Sequence, residues 1–356
     1  MIRDSLQDDL FAVISNDAIH AATRRASKRP LNNRNIKLVR CFKGGYNAQQ
    51  ETPIMIALEE FTTKGLITVE TLHCERVKKD QMTEKQVVDW LLGSDIHLII
   101  THVHQNVVEL LKWNINTLMY ELQKLYDHDG YPYGQYLRDP IFLQDKYEYI
   151  RLVKNICNPT LKITIRKDSN YTPDDLSSIS TFLRLHQDKT RSWCMKLAFV
   201  TNSFHMAQVD TYEELLDKLY FYSGNFFGIY PYVMLQPYLF NRKEYKVTLY
   251  NGKALYICKS ARRKNERAFS NSTDFMQFAE DAVVMLKCET TVMDLEGVIR
   301  VDVMQGNDGS LIENEFESLE ACIWSSEGCV RNEAITMSYQ ATFWKNQLLK
   351  FIPMDG

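Results

Sequence analysis

Alternation of extended and helical segments in the first third of the chain is the feature that most constrains its fold. Apolar residues follow a strand-like or a helix-like spacing in turn, at residues 36–42, 52–64, 66–72, 84–92, 96–104 and 107–111. Strands that alternate with helices pair in parallel, because each helix returns the chain to the start of the next strand. We therefore predict a small open parallel α/β sheet, in which ligands bind beyond the carboxyl ends of the strands.

Two features lie at that edge of the predicted sheet. Gly44-Gly45 follows the first strand, and His102 and His104 lie at the end of the third. The chain contains no G-x-G-x-x-G or G-x-x-x-x-G-K-[ST] pattern, so a classical dinucleotide or P-loop site is disfavoured. The two histidines share a strand face and could bind a metal or a substrate, although a single H-x-H pair is weak evidence for either.

A predicted β-hairpin at residues 297–316 carries several acidic residues. Its two halves alternate apolar and polar residues and flank an Asn-Asp-Gly turn. Glu313 and Glu315 fall on one strand face, and Asp302 on the partner strand can face the same way. Such carboxylates repel one another, and Mg²⁺ or Mn²⁺ would neutralise them. The hairpin alone is equally consistent with solvated surface acids.

Composition excludes several functional classes. The chain has 356 residues, 45% hydrophobic and 24% charged, with a net charge of −3, which argues against a nucleic-acid binder. We find neither an apolar run that could span a membrane nor the apolar core of a secretory signal, so no membrane partner is predicted. The eight cysteines form no C-x-x-C pair and suit free thiols in a reducing compartment. A cytoplasmic location is therefore predicted.

The N-terminal 34 residues are predicted to form a polar arm. Residues 24–30 are strongly basic and surround Ser27. They are interpreted as a solvated arm, with a nuclear-import patch or a phosphorylation site as the alternatives, so a nucleocytoplasmic location stays open.

A lysine within an apolar strand-like segment indicates a ligand site. Lys196 lies in residues 192–200, which are otherwise largely apolar. A lysine buried without a partner is costly, so we expect Lys196 to face a cleft that holds an anion.

Seven motifs occur in an order that is informative as a set. In chain order they are Asp145-Lys146, Pro159-Thr160, Lys196, Gln236-Pro237-Tyr238-Leu239, Glu244, Lys259 with Arg262 and Arg263, and Asp302 with Glu313-Asn314-Glu315. This order resembles the ATP-grasp superfamily from residue 35 to the C-terminus. The resemblance implies an α/β protein with a Rossmann-like domain at residues 35–140 and an ATP-grasp domain at residues 141–356. A small lid subdomain is expected at about residues 160–235.

The resemblance also implies an ATP site. Lys146 and Lys196 would reach the α- and β-phosphates from the two sides of a cleft. The adenine would lie in a hinge, and Glu244 would accept hydrogen bonds from the ribose hydroxyls. The hinge residues would be Gln236, Pro237, Tyr238 and Leu239.

Metal binding is implied at the acidic hairpin. Asp302, Glu313 and Glu315 would hold two Mg²⁺ (or Mn²⁺) ions that bridge the phosphates of ATP. Two positions depart from the family pattern. Gln236 replaces the hinge glutamate, and Glu315 stands where the family has asparagine.

The family commonly activates a carboxylate as an acyl phosphate and couples it to an amine or another nucleophile. Lys259, Arg262 and Arg263 follow the hairpin that faces the acceptor in this family, so an anionic small molecule or peptide is the expected substrate. A solvated loop is the alternative for these residues.

A kinase of a small alcohol such as an inositol phosphate, or a non-catalytic Mg-ATP-binding protein, is the alternative function. A homodimer is left open, and residues 332–351 are expected to form a helix that packs on the grasp domain.

Overall fold

The computed structural model describes only part of the chain, in these ranges: 34–40, 52–94, 96–99, 109–123, 145–188, 190–197, 199, 205–239, 243–259, 273–289, 295, 297–305, 310–317, 330–349 and 352. Several sequence-based predictions lie outside these residues: the basic arm, Gly44-Gly45, His102, His104, Arg262, Arg263 and the Asn-Asp-Gly turn.

The N-terminal sheet has three parallel strands in the order β2–β1–β3. Its elements are β1 (Arg34–Arg40), α1 (Thr52–Thr63), β2 (Ile67–His73), α2 (Cys74–Lys79), α3 (Glu84–Leu92) and β3 (Ile96–Ile99). Ile36 and Leu38 share one face of the central strand and are fully buried, so that face lies in the hydrophobic core. The predicted parallel α/β arrangement is confirmed. The short α2 was not predicted from the sequence, and it buries Cys74 and Val77.

Two further helices follow, α4 (Glu109–Leu111) and α5 (Ile115–Gln123). They contact the next part of the chain through backbone and side-chain hydrogen bonds. The amide of Ile115 donates to the carbonyl of Ile229 at 2.9 Å, and Asn114 Nδ2 donates to the carbonyl of Gly228 at 2.8 Å.

The middle sheet comprises four antiparallel strands in the order β4–β7–β5–β6. In chain order this region contains α6 (Lys146–Leu152), β4 (Leu161–Thr164), a 3-10 turn (Lys167–Ser169), α7 (Pro173–His186), β5 (Trp193–Leu197), β6 (Ala207–Val209), α8 (Tyr212–Phe226) and β7 (Tyr232–Pro237). Thr172 and Asp175 form a capping box at the start of α7, with Pro173 in the first turn. Every residue of β7 is buried, so this strand forms the centre of the sheet.

The C-terminal sheet is also antiparallel, in the order β11–β10–β8–β9. Its elements are β8 (Lys243–Tyr250), β9 (Lys253–Lys259), α9 (Thr273–Glu289), β10 (Val298–Gln305), β11 (Leu311–Glu317) and the final helix α10 (Val330–Leu349). The pairing of β10 with β11 is the acidic hairpin that the sequence predicts.

The final helix contacts both α1 of the N-terminal sheet and the segment before β10, rather than packing on the predicted grasp domain alone. Lys345 of α10 pairs with Glu60 of α1 at 2.6 Å. On its other side, Phe343 lies over Gly297, which has φ +79°; a Cβ there would lie 3.1 Å from the ring. A glycine at this position therefore serves both the backbone conformation and the close approach. Among the described helices, none is long and apolar enough to cross a membrane.

Candidate active site

Charged side chains from α6, the middle sheet and the C-terminal sheet come together in one cluster. Lys146 opens α6 and forms an ion pair with Glu315 of β11. Lys196 of β5 acts electrostatically on both Lys146 and Glu313. The structure thus brings together the two lysines and the hairpin carboxylates that the sequence motifs select.

Lys146 is a largely desolvated ammonium group. Burial lowers its pKa to about 8, while the negative charge of Glu317 opposes this decrease. The positive charge of Lys196 acts in the same direction as burial. An additional anion beside these two lysines would therefore relieve the unfavourable electrostatics that their proximity creates.

Asp302 is held by two cations of the same sheet. Arg300 donates to it through Nε at 2.6 Å and Nη2 at 3.0 Å, and Lys246 Nζ donates at 2.9 Å. Burial would raise the pKa of Asp302, but the charges and hydrogen bonds of Arg300 and Lys246 outweigh burial and lower it. The register explains this grouping, because Lys246 lies opposite Asp302 and Arg300 lies two residues along the same strand face.

Glu313 has a different environment. Its Oε2 accepts a hydrogen bond from the thiol of Cys157 at 2.9 Å, whereas its Oε1 is buried and has no hydrogen-bond partner among the described residues. Burial, together with the charge of Asp302, raises the pKa of Glu313 to about 8 against the opposing effects of Cys157, Lys196 and Lys146. A buried carboxylate oxygen without a partner is the type of group that a cation would satisfy.

An irregularity in the hairpin modifies the predicted arrangement of the carboxylates. Asp302 lies opposite Glu315, but the next residue on β10, Val303, lies opposite Glu313. The strand β11 therefore contains one extra residue at Asn314, a β-bulge. The side chain of Asn314 donates through Nδ2 to Glu244 Oε1 at 2.9 Å, so Glu244 is bound within the sheet.

The chemistry of this cluster fits a divalent cation, although no ready-made cage is present in the described ranges. No three side chains there converge as metal ligands. Instead of repelling one another, the predicted ligands are compensated: Asp302 by Arg300 and Lys246, and Glu315 by Lys146. The hard oxygens and the unpartnered Oε1 of Glu313 suit Mg²⁺ or Mn²⁺. Their role as metal ligands stays a prediction.

The predicted hinge is anchored by hydrogen bonds. Gln236 Nε2 donates to Thr160 Oγ1 at 2.8 Å, and Asn158 Nδ2 donates to the carbonyl of Pro237 at 2.8 Å. The amide of Tyr238 donates to the carbonyl of Ser192 at 2.9 Å, and Leu239 follows it as a half-buried residue. These bonds fix the segment between the middle and C-terminal sheets, and they also connect it to the predicted Pro-Thr motif.

The side chains predicted to bind the acceptor substrate lie outside the described part of the structure. Lys259 is the last residue of β9, and its side chain lies outside what is described, as do Arg262 and Arg263. Sequence reasoning missed Lys246, Arg300 and Cys157. For Arg300 a signal existed, because a charged residue two positions before Asp302 in a buried strand falls on the same face.

Comparisons identify the fold. Neither a family model nor a curated protein matches the chain, whereas solved structures do. D-cycloserine synthetase DcsG is similar with a TM-score of 0.56 at 15% identity, over 87% of this chain and 100% of that one. N5-carboxyaminoimidazole synthetase from Staphylococcus aureus gives 0.52 at 13% identity, over 90% and 77%. D-alanine–D-alanine ligase from Bacillus anthracis, complexed with ATP, gives 0.51 at 14% identity, over 91% and 99%. The chain therefore has the ATP-grasp fold, which the order of its sequence motifs predicts.

Proposed function

We propose that this protein is an ATP-dependent ligase, which activates a carboxylate as an acyl phosphate and joins it to an amine or another nucleophile. One observation carries the proposal: Lys146 of α6 and Lys196 of β5 both interact with carboxylates of the hairpin. Lys146 pairs with Glu315, and the charge of Lys196 acts on Glu313 and on Lys146. The three similar structures are named as synthetases or ligases, and one of them contains ATP. Their names support this reaction class and leave the substrates of this protein open.

In this proposal the cluster binds Mg-ATP. Lys146 and Lys196 bind the α- and β-phosphates, because Lys146 pairs with Glu315 and the charge of Lys196 acts on Glu313, two carboxylates that a metal would bind instead. Bound Mg²⁺ would draw charge from the phosphate oxygens and lower the cost of transferring the γ-phosphoryl group. Asp302, Glu313 and Glu315 would hold the metal.

The remaining nucleotide contacts follow from the anchored hinge. Gln236, Pro237, Tyr238 and Leu239 would line the adenine site, with their backbone fixed by the hydrogen bonds to Asn158 and Ser192. Fixing the segment in advance reduces the conformational entropy that binding must remove.

Two further assignments belong to the proposal. Lys259, Arg262 and Arg263 would bind an anionic small molecule or peptide as the acceptor. We infer a cytoplasmic location from thiol chemistry, since Cys157, Cys194 and Cys288 are free thiols, as expected in a reducing compartment.

Product stoichiometry tests the reaction class. ATP consumption would be measured against pooled amino acids, peptides and inositol phosphates, with ADP and free phosphate quantified together. A ligase requires both a carboxylate and a nucleophile and releases ADP and phosphate in equal amounts. ADP without free phosphate would instead establish a kinase, because the phosphoryl group would remain on the product.

Two lysine variants connect this activity to the described cluster. Lys196→Ala should weaken Mg-ATP binding by about 2 kcal/mol, or roughly thirtyfold, because a charge-assisted phosphate contact is lost. Lys253→Ala is the matched control, since Lys253 is an exposed lysine that pairs with Glu280 outside the cluster. Equal ATP affinity in Lys196→Ala and the wild type would contradict the proposed site.

A further inference from the structure

Asp145, which immediately precedes Lys146, has an unusual environment for a residue at the start of a helix. It is 3% exposed and occupies the N-cap position of α6, where the backbone amide of Glu148 in the first turn lowers the pKa of its carboxyl group. An aspartate at this position ordinarily accepts a hydrogen bond from a backbone amide of the first turn. The carboxylate has a second partner here, because Oδ1 accepts a hydrogen bond from the hydroxyl of Tyr232.

Tyr232 belongs to the middle sheet, so this hydrogen bond joins two separate elements. It is the first residue of β7 and is 1% exposed. The surrounding contacts reinforce the junction. Lys162 of β4 lies 4.5 Å above the Tyr232 ring and 4.0 Å from Glu148 of α6, and the rings of Tyr147 and Tyr232 meet edge-on at 6.0 Å.

The pairing of β7 with β5 connects Tyr232 to Lys196. Met234 lies two residues after Tyr232 on the same face of β7, and Met234 is the pairing partner of Lys196 on β5. Lys146 directly follows Asp145. A bond between Asp145 and Tyr232 consequently connects the backbone that carries one cluster lysine to the sheet that carries the other.

We propose that the hydrogen bond between Asp145 and Tyr232 positions Lys146 relative to Lys196, so that both ammonium groups reach the same bound polyphosphate. Asp145 and Tyr232 are positioning residues in this scheme and do not touch the nucleotide. The inference rests on the proposed function, because it concerns the Mg-ATP site assigned above.

The cost of this arrangement favours a functional role. A buried carboxylate loses hydration, and burial raises the pKa of Asp145 to about 6 although the Tyr232 hydroxyl and Lys162 oppose the increase. An asparagine or serine at the same position could cap α6 without burying a charge. The carboxylate adds a second oxygen that is a strong, charged acceptor for Tyr232, which a capping serine would not provide.

A double-mutant cycle on Mg-ATP affinity tests the inference. The proteins are the wild type, Tyr232→Phe, Lys146→Met and the double variant, each titrated calorimetrically with Mg-ATP. We expect Tyr232→Phe to weaken binding about tenfold and Lys146→Met about thirtyfold. The double variant should bind within about twofold of Lys146→Met, because a residue that acts through Lys146 has no effect once Lys146 is absent.

Tyr222→Phe is the matched control. Tyr222 is also a buried tyrosine near the middle sheet, and its hydroxyl donates to the carbonyl of His205 at 2.6 Å. This variant should bind Mg-ATP within about twofold of the wild type, since its hydrogen bond has no connection to Lys146. A tenfold loss in Tyr222→Phe as well would mean that any buried hydroxyl supports affinity, and the inference would be wrong.

Substitutions of Asp145 give an independent result if Tyr232→Phe does not fold. Asp145→Asn retains a weaker, neutral oxygen that accepts the Tyr232 hydroxyl and should lose no more than about threefold in affinity, whereas Asp145→Ala should lose about tenfold. Equal affinities in these two variants, or additive losses in the cycle, would overturn the positioning role. Absence of Mg-ATP binding by the wild type would instead refute the proposed function itself.

Discussion

Replacing Glu313 by glutamine probes the electrostatics of the cluster most directly. Glu313 is 1% exposed, and burial raises its pKa to about 8, well above the ordinary value of 4.5. The folded protein therefore binds a proton at this site more tightly than the unfolded chain does. As the pH rises from about 4.5 through 8, this difference lowers the free energy of unfolding. Glutamine has the same shape and does not titrate, so the variant should lack this part of the pH dependence.

The magnitude follows from proton linkage. Each pH unit within the window lowers the free energy of unfolding by up to about 1.4 kcal/mol, so the wild type should lose roughly 3 kcal/mol more than Glu313→Gln between pH 5 and pH 8. The buried amide hydrogens of the glutamine cost about 1–3 kcal/mol if they find no acceptor. That cost does not depend on pH. The difference between the two pH values is therefore more informative than either stability alone.

Urea denaturation at pH 5, 6, 7 and 8 measures this difference. Glu280→Gln is the control, because a backbone amide at Ala254 and the side chain of Lys253 lower the pKa of Glu280. The linked loss of stability for such a group occurs at more acidic pH, so its variant should differ from the wild type by a constant amount over this range. A constant difference for Glu313→Gln as well would refute the assignment of a buried, proton-binding carboxyl group.

The same variant tests metal binding when Mg-ATP is added. A ligand at one hundred times its Kd stabilises the folded state by about 2.7 kcal/mol. If Glu313 is a metal ligand, Glu313→Gln should lose most of this stabilisation. Retention of the full wild-type effect would show that the metal binds elsewhere.

Two further predictions concern the paired carboxylates. Asp302→Asn should lower the free energy of unfolding by about 2–3 kcal/mol in urea denaturation, because Arg300 and Lys246 lose a charged partner while Glu317 still pairs with Arg300; a loss below about 1 kcal/mol would contradict the ion-pair interpretation. Millimolar Mg²⁺ alone should raise the melting temperature by less than about 1 °C, whereas Mg-ATP should raise it by several degrees, since lysine and arginine already occupy the carboxylates. Equal shifts in differential scanning fluorimetry would indicate a preformed metal site.

Local sequence patterns predicted much of the fold. The strand–helix alternation at residues 36–99 predicted a parallel sheet because the two periodicities are set by backbone geometry within each segment. The hairpin at residues 297–316 was predicted for the same reason, from alternation on both sides of a turn sequence. The final helix was also expected, but its partner was not, since packing against α1 depends on residues almost 300 positions apart.

The sequence predicted which lysines belong to the site, but not which residues the charged groups of the site pair with. The apolar residues around Lys196 in the sequence indicated a cleft that holds an anion. In the structure the positive charge of Lys196 acts to lower the pKa of Glu313. The pairing of Asp302 with Lys246 depends on strand register, which a single sequence does not determine. The β-bulge at Asn314 was missed for a related reason. The extra residue places Glu313 opposite Val303 and Glu315 opposite Asp302, an arrangement that the alternation of apolar and polar residues does not predict.

Partner exchange would allow one cluster to provide both the carboxylates and the lysines of the nucleotide site that we propose. Without ligand, Lys146 neutralises Glu315, and Lys246 with Arg300 neutralises Asp302, so few charges are buried without a partner. Mg-ATP brings both a cation for the carboxylates and phosphates for the lysines. Each group would then change partner without becoming a buried unpaired charge, which would cost several kcal/mol. A metal or a nucleotide arriving alone would supply only one half of this exchange, so the arrangement favours binding of the two together.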